Sequence, residues 1–201
     1  MAGTAVRLVD IDEFVEGLKG IADFAHEAVT AFVGAHPVRP DSLQPYVMFS
    51  PASYTRNLIY KDERFELIAI CWDVGQVSRI HNHRDQQCWM AVPIGKLKNQ
   101  NYRVAARDLA RQSCRLEASR AVMITPTQPL RVDPDEPVHQ VLNLKEFGER
   151  AVSLHIYSKP FNSCEVYSLE KGTYCDVPLY YTSEYGRLSP DEPTRVPDSQ
   201  H

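Results

Sequence analysis

Apolar positions recur at helical spacing along the first forty residues. Ile11, Phe14, Val15 and Leu18 fall on one face of a 3.6-residue period. Asp10 stands where an N-cap belongs, and Glu13 follows three residues later, as in a capping box. Ile21, Phe24, Ala25, Ala28, Val29 and Phe32 continue the pattern and predict a second helix. Pro37, Pro40 and Pro45 then break the helical region, because proline has no N–H to donate and clashes with the preceding turn. From Glu63 the texture changes to short β-rich runs: FELIAICW, VSRIHNH, QCWMAVPIG, KLKNQNYRV, AVMIT, HQVLNL, AVSLHIYS and SCEVYSL. Gly75, Gly95, Pro126, Pro129 and Gly148 punctuate them. Many short strands after a helical lead-in predict a mainly β protein, a helix-capped barrel or jelly roll. Residues 1–45 are expected to form a helical segment packed on the barrel, 46–186 the barrel domain, and 187–201 a flexible, polar, proline-rich tail. No internal repeat is visible.

Composition narrows the class. The chain has 201 residues, room for one domain with a sizeable core. A net charge of -4 gives no electrostatic reason to expect nucleic acid or an acidic membrane as partner. No apolar run is long enough to span a bilayer, and MAGTAVRLVDIDEF lacks the apolar stretch of a signal peptide. Cys71, Cys88, Cys114, Cys164 and Cys175 are odd in number, scattered, and without a CxxC pair. That usage points away from a disulfide framework and toward a reducing, cytoplasmic setting.

The chemistry concentrates in GQVSRIHNHRDQQCWMAVPIG, residues 75–95. His81 and His83 sit one residue apart in a β-type segment, so both side chains point to one face and can chelate one ion. His139 in VHQVLN would complete a set of three neutral nitrogen donors, leaving positions open for substrate and dioxygen. The spacing resembles the cupin signature G-x5-H-x-H-x4-E-x6-G, followed by P-x-G-x2-H-x3-N. Gly75, His81, His83, Gly95, Pro134, His139 and Asn143 match it; Cys88 and Glu136 depart from it. The resemblance implies a cupin double-stranded β-barrel with the metal in its mouth. Cys88 in place of glutamate removes a hard ligand and leaves the metal free for an anion such as a thiolate. As a ligand itself, Cys88 would instead favour zinc or copper; spacing leaves both readings open.

From about Ser53 to Tyr167 the chain resembles the cysteine dioxygenases. SYTRNLI, AICW, IHNHRDQQC and AVSLHIYSKPFNSC carry the likeness, with a weaker echo in SEYG. The resemblance implies Fe(II) held by His81, His83 and His139. It implies a Cys88–Tyr157 thioether, a supporting relay of Ser153, His155 and Tyr157, and Arg56 with Tyr54 binding the substrate carboxylate. Ser153, His155 and Tyr157 also share one strand face by their spacing. The implied activity is cysteine catabolism, with L-cysteine and O2 as substrates, cysteine sulfinic acid as product, and a monomer as the working unit. On this reading the thiol and the amine of cysteine take two positions on the iron and dioxygen the third.

The chain departs from the family at Asn82, often aspartate, and at Gln87, often histidine. It also departs at Ser158-Lys159-Pro160, where many members carry Ser-Pro-Pro with a cis peptide; a cis bond before a non-proline costs about 3 kcal/mol. Plainer readings make Arg56 a surface ion pair, His155 a core histidine and Cys88 a buried thiol, with the other cysteines structural. Trp72, Trp89, Tyr180 and Tyr181 read as core or pocket wall. Two other functions share these residues. One is a dioxygenase for another small thiol acid such as 3-mercaptopropionate; relatives with that preference tend to carry glutamine at the Arg56 position. The other is a non-catalytic metal-binding cupin sensor, which would need neither Arg56 nor Tyr157.

Overall fold

The structure, a computed structural model, describes residues 6–189. Helix α1 (Ile11–Lys19) buries Ile11, Phe14, Val15 and Leu18, the face its spacing predicts. The capping box does not form. Asp10 makes no side-chain cap; its carboxylate pairs with Arg39 at 2.7 Å, while Glu13 pairs with Arg7 at 2.8 Å. Ser42 Oγ instead accepts the Ile11 N–H at 3.0 Å, so a distant segment does the capping. The second helix, α2 (His26–Ala35), starts later than its pattern predicts. Asp23 and Phe24 turn to φ 51° and 48°, which breaks the run. The break lays the Phe24 ring on Phe65 at 4.7 Å and edge-on to Trp89 at 5.9 Å.

The strands are, in chain order, β1 (Thr55–Lys61), β2 (Glu66–Trp72), β3 (Ile80–His81), β4 (Cys88–Ile94), β5 (Leu97–Asp108) and β6 (Ser113–Ile124). They continue with β7 (Leu130–Arg131), β8 (Val138–Leu142), β9 (Ala151–Tyr157), β10 (Ser163–Ser168), β11 (Thr173–Pro178), β12 (Ser183–Glu184) and β13 (Arg187–Leu188). One sheet runs β13-β12-β1-β2-β9-β4-β7; the other runs β10-β11-β6-β5-β8-β3 and closes because β3 pairs with both β8 and β10. This is the cupin double-stranded β-barrel. Arg187 and Leu188, expected in the tail, pair with β12, and the Ser189 N–H reaches the Thr182 carbonyl at 3.0 Å. The remainder of the expected tail, 190–201, lies outside the described residues.

Every residue of β2 and β9 is buried, and the period-2 geometry of a strand explains why. Leu67, Ala69, Val152, Leu154, Ile156 and Trp89 face outward into a core shared with Phe14, Leu18, Val29 and Val33 of the two helices. Ile68, Ile70, Trp72, Cys88, Met90, Val92 and Tyr157 face inward. The helices therefore cover what would be the wet face of the sheet, and the strands read as unbroken apolar runs. Trp89 fastens the two layers by donating its indole N–H to Thr30 Oγ1 at 2.9 Å. All five cysteines are free, with Cys175 exposed and the rest buried. No helix of the described residues is long and apolar enough to cross a membrane.

Candidate metal centre

His81 on β3 and His139 on β8 face each other across the ladder, and His83 follows two residues after His81. One nitrogen of each ring lies within 4.8 Å of the others, and ring centroids stand 4.6 to 5.2 Å apart. Hydrogen bonds set two of the tautomers. His81 Nδ1–H donates to the Arg79 carbonyl at 2.8 Å, and His139 Nδ1–H donates to Asn99 Oδ1 at 2.5 Å. His139 Nε2 is left with a lone pair, 3.0 Å from His83 Nε2. Burial pushes His83 and His139 well below the ordinary imidazole range and lowers His81 to about 4, with the Arg56 charge adding to the effect on His81 and His83. A proton is thus a poor filler for the gap between these nitrogens. Two nitrogens each about 2.1 Å from one ion at a right angle stand about 3.0 Å apart, so a divalent cation fits. The cluster can hold a metal, and Cys88 is not among its converging ligand atoms.

The ligand segment is pinned from behind. Asn82, between the two ligands, donates Nδ2–H to Glu165 Oε2 at 2.8 Å and accepts the Glu165 N–H at 3.2 Å. Arg107 and Tyr167 donate to the same carboxylate at 2.5 and 2.7 Å. Burial works to raise the pKa of Glu165, but these bonds outweigh it and hold the group below its usual range. Arg84 and Asp85 take φ 52° and 64°, the tight turn that sends the chain from His83 back toward Cys88.

The facing wall comes from β1, β2, β4 and β9. Tyr157 stands in register with Cys88 on one side and Glu66 on the other, so the three share a row. The Trp72 indole donates to Ser153 Oγ at 2.9 Å; Ser153 Oγ lies 2.9 Å from His155 Nε2, and His155 Nδ1 lies 3.2 Å from Tyr157 Oη. Ser153 Oγ accepts from Trp72 and keeps its own proton to give to Nε2; in that tautomer His155 donates from Nδ1 to Tyr157, whose own proton is then free to point into the barrel. Burial lowers His155 to about 3, helped by the Arg56 charge, so the relay stays neutral. Burial also lifts Tyr157 and Cys88 far above their usual values, keeping both protonated.

Arg56 Nε donates to the Tyr180 carbonyl at 3.2 Å, and its Nη2 is buried without a hydrogen-bond partner. Tyr54 stacks on Trp72 at 4.6 Å, and Phe161 meets the Tyr157 ring edge-on at 4.9 Å. Gln87 exchanges bonds with Ser158: its N–H reaches Ser158 Oγ at 2.9 Å, and the Ser158 N–H reaches its carbonyl at 3.0 Å. Every peptide bond among the described residues is trans, and Lys159 takes φ 104°.

The structure therefore brings together His81, His83, His139, Cys88, Ser153, His155, Tyr157, Arg56 and Tyr54, all named from the sequence. It adds Asn99, Glu165 and Glu66, which sequence reading passed over, and turns Trp72 from wall into relay member and Tyr181 from wall into the hydrogen-bond partner of Glu66. Asn99 and Asn101 carried a signal, two amides at alternate positions of an otherwise regular strand, where inward polar groups need a purpose. Glu66 and Glu165 carried none.

Comparison with known proteins sets this geometry in a family. The model of the family described as cysteine dioxygenase type I matches residues 3–170. A curated cysteine dioxygenase type 1 from Danio rerio is 30% identical over 167 residues, covering 83% of this chain and 81% of that protein. The Homo sapiens protein of the same name is 28% identical over 169 residues, covering 82% and 80%. Among solved structures, a protein with a double-stranded beta-helix domain from Klebsiella pneumoniae aligns with TM-score 0.38 and 14% identity, over 68% of this chain and 88% of that one.

Proposed function

The chain belongs to the cysteine dioxygenase family, and on that premise we propose that it is an iron(II)-dependent thiol dioxygenase that oxidises L-cysteine with O2 to cysteine sulfinic acid. The observation that carries the reading is the placement of three converging histidines opposite an arginine with an open, buried Nη2. Iron(II), when bound by His81, His83 and His139, supplies the thiolate-binding and dioxygen-activating chemistry. The chain's own residues do the rest. Asn99 and the Arg79 carbonyl orient the ligands and fix their tautomers. Arg56 receives the substrate carboxylate on Nη2, a charge-assisted bond in a dry site. Tyr157, aimed by Trp72, Ser153 and His155, presents its O–H toward the reacting sulfur and oxygen. Cys88 lies directly across the ladder from Tyr157, which supports the thioether that the family resemblance implies. Tyr54 packs on Trp72 and Phe161 on Tyr157, the apolar side of this wall.

The test is oxygen uptake by the iron-loaded protein with L-cysteine, 3-mercaptopropionate and cysteamine. Fast uptake with cysteine, yielding cysteine sulfinate, is the expected result. A stronger response to another thiol would retire the substrate assignment and keep the chemistry. No uptake with any thiol, at one iron per chain, would remove the enzymatic reading.

A further inference from the structure

Arg56 belongs to β1, yet much of what holds it comes from residues more than a hundred positions later. Its Nε–H donates to the Tyr180 carbonyl at 3.2 Å, and the Tyr181 ring centroid lies 6.0 Å from its guanidinium carbon. Its backbone is tied to Thr182 in both directions. The Arg56 N–H reaches Thr182 Oγ1 at 3.2 Å, and the Arg56 carbonyl accepts the Thr182 N–H at 2.7 Å. Residues 180–182 lie beyond residue 170, where the match to the family model ends.

This segment is latched to the barrel at two buried points. On the inner side, the Tyr181 hydroxyl donates a short hydrogen bond to Oε2 of Glu66, a fully buried carboxylate at the head of β2. On the outer side, Ser183 stands opposite Asn57 in the parallel pairing of β12 with β1 and donates to Asn57 Oδ1 at 2.8 Å; both residues are fully buried. Asn57 gives its Nδ2–H to Thr55 Oγ1 at 3.0 Å and to the Ala69 carbonyl at 3.2 Å, so its amide is fixed. Lifting the segment would strip a donor from each of two buried acceptors, and a buried acceptor without its donor is costly. Apolar burial contributes less, since Tyr180, Tyr185 and Leu188 are exposed.

We propose that residues 180–183 are a brace that aims the Arg56 guanidinium, with Tyr181 and Ser183 as positioning residues and Glu66 and Asn57 as their anchors. The Tyr180 carbonyl holds the Nε edge and Tyr181 flanks the group, which leaves Nη2 as the open edge. The inference rests on the thiol dioxygenase reading only for what Nη2 receives, a ligand carboxylate. It gives the buried Glu66 a task within the chain, that of holding Tyr181.

Nuclear magnetic resonance of the nitrogen-15-labelled, metal-free protein follows the Arg56 Nε–H directly, its signal identified by its loss in Arg56→Ala. In the wild type this proton should exchange slowly with water. It should exchange about tenfold faster in Tyr181→Phe, which keeps the ring and removes the Glu66 bond, and in Ser183→Ala, which opens the other latch. Unchanged exchange in both variants, or rapid exchange already in the wild type, would overturn the brace. Anaerobic titration of the iron-loaded protein with L-cysteine and cysteamine reads the consequence. Both variants should bind L-cysteine about tenfold more weakly and cysteamine, which has no carboxylate, as the wild type does. Equal weakening of the two thiols would also overturn the brace, because the segment would then support the barrel and not the arginine. Faster Nε–H exchange with L-cysteine affinity unchanged would keep the brace and remove the carboxylate role of Arg56.

Discussion

The two walls of the barrel solve opposite problems. On the wall built from β3, β5 and β8, the groups behind the metal ligands are matched within the chain. His139 bonds to Asn99, Asn99 to Asn101, His81 to the Arg79 carbonyl, and Asn82 to Glu165. On the wall built from β1, β2, β4 and β9, the charged groups are left with open valences at Arg56 Nη2 and Glu66 Oε1. A metal site must hold its ligands rigid before the ion arrives, so its supporting shell is complete. A substrate site reserves its strongest interactions for a molecule that comes and goes, and on the function proposed above that is why this wall keeps unmatched buried charge at a cost in stability. The difference between the walls is therefore a difference between what stays and what leaves.

Breaking the metal wall should have the largest effect. His139→Ala removes one of three ligands and should abolish stoichiometric iron retention, measured by elemental analysis after gel filtration. An iron content equal to the wild type would sink the three-histidine assignment. Arg56→Ala tests the other wall and should raise the KM for L-cysteine by roughly 10- to 100-fold, since a charge-assisted hydrogen bond contributes about 1.5–3 kcal/mol. Iron content should not change, and a shared loss of iron and substrate affinity would show that the walls are not independent.

Smaller effects should follow from the groups that position the ligands. Asn99→Ala frees the His139 ring and should weaken iron affinity by about 10- to 100-fold, the range for an outer partner of a metal ligand. Glu165→Gln keeps a polar partner for Asn82 but gives up the charge that Arg107 and Tyr167 hold. It should weaken cobalt(II) binding, read from the absorption titration, by less than the Asn99 change. A Glu165 effect larger than the Asn99 effect would place the anchor of the wall on the wrong residue.

The mildest probe is pH. In the metal-free protein His81 titrates near 4 and His155 near 3, whereas unfolded imidazoles take protons below about 6.5. Between those values the unfolded chain binds more protons than the folded one, so stability present at neutral pH falls as the pH drops from about 6.5 toward 4. The melting temperature of chelator-treated protein should decline across that window. Iron loading should hold it up until the histidines lose the metal to protons. A flat profile would mean that these rings are not held neutral by burial.

The amino-acid order by itself determined the local features. Helix α1 is legible because Ile11, Phe14, Val15 and Leu18 repeat at the helix period, and the strands because apolar runs alternate with turn residues. The metal ligands are legible because two of them are two residues apart, and a strand turns that spacing into one shared face. The relay from Ser153 to Tyr157 is visible for the same reason. Local geometry alone converts these patterns into structure.

Only the tertiary structure decided what meets across the barrel. Asp10 and Glu13 fit a capping box, yet Arg39 and Arg7 take them, because charges brought near by folding outcompete a local bond. Asn99 is forty residues from His139, and Glu66 lies more than a hundred from Tyr181. Neither contact has a period or a motif to announce it. Each exists because sheet closure and register bring particular side chains face to face, and burial then makes a polar partner, or the lack of one, consequential. That is why the metal centre is readable from spacing, while the contacts behind it and opposite it appear only once the walls are closed.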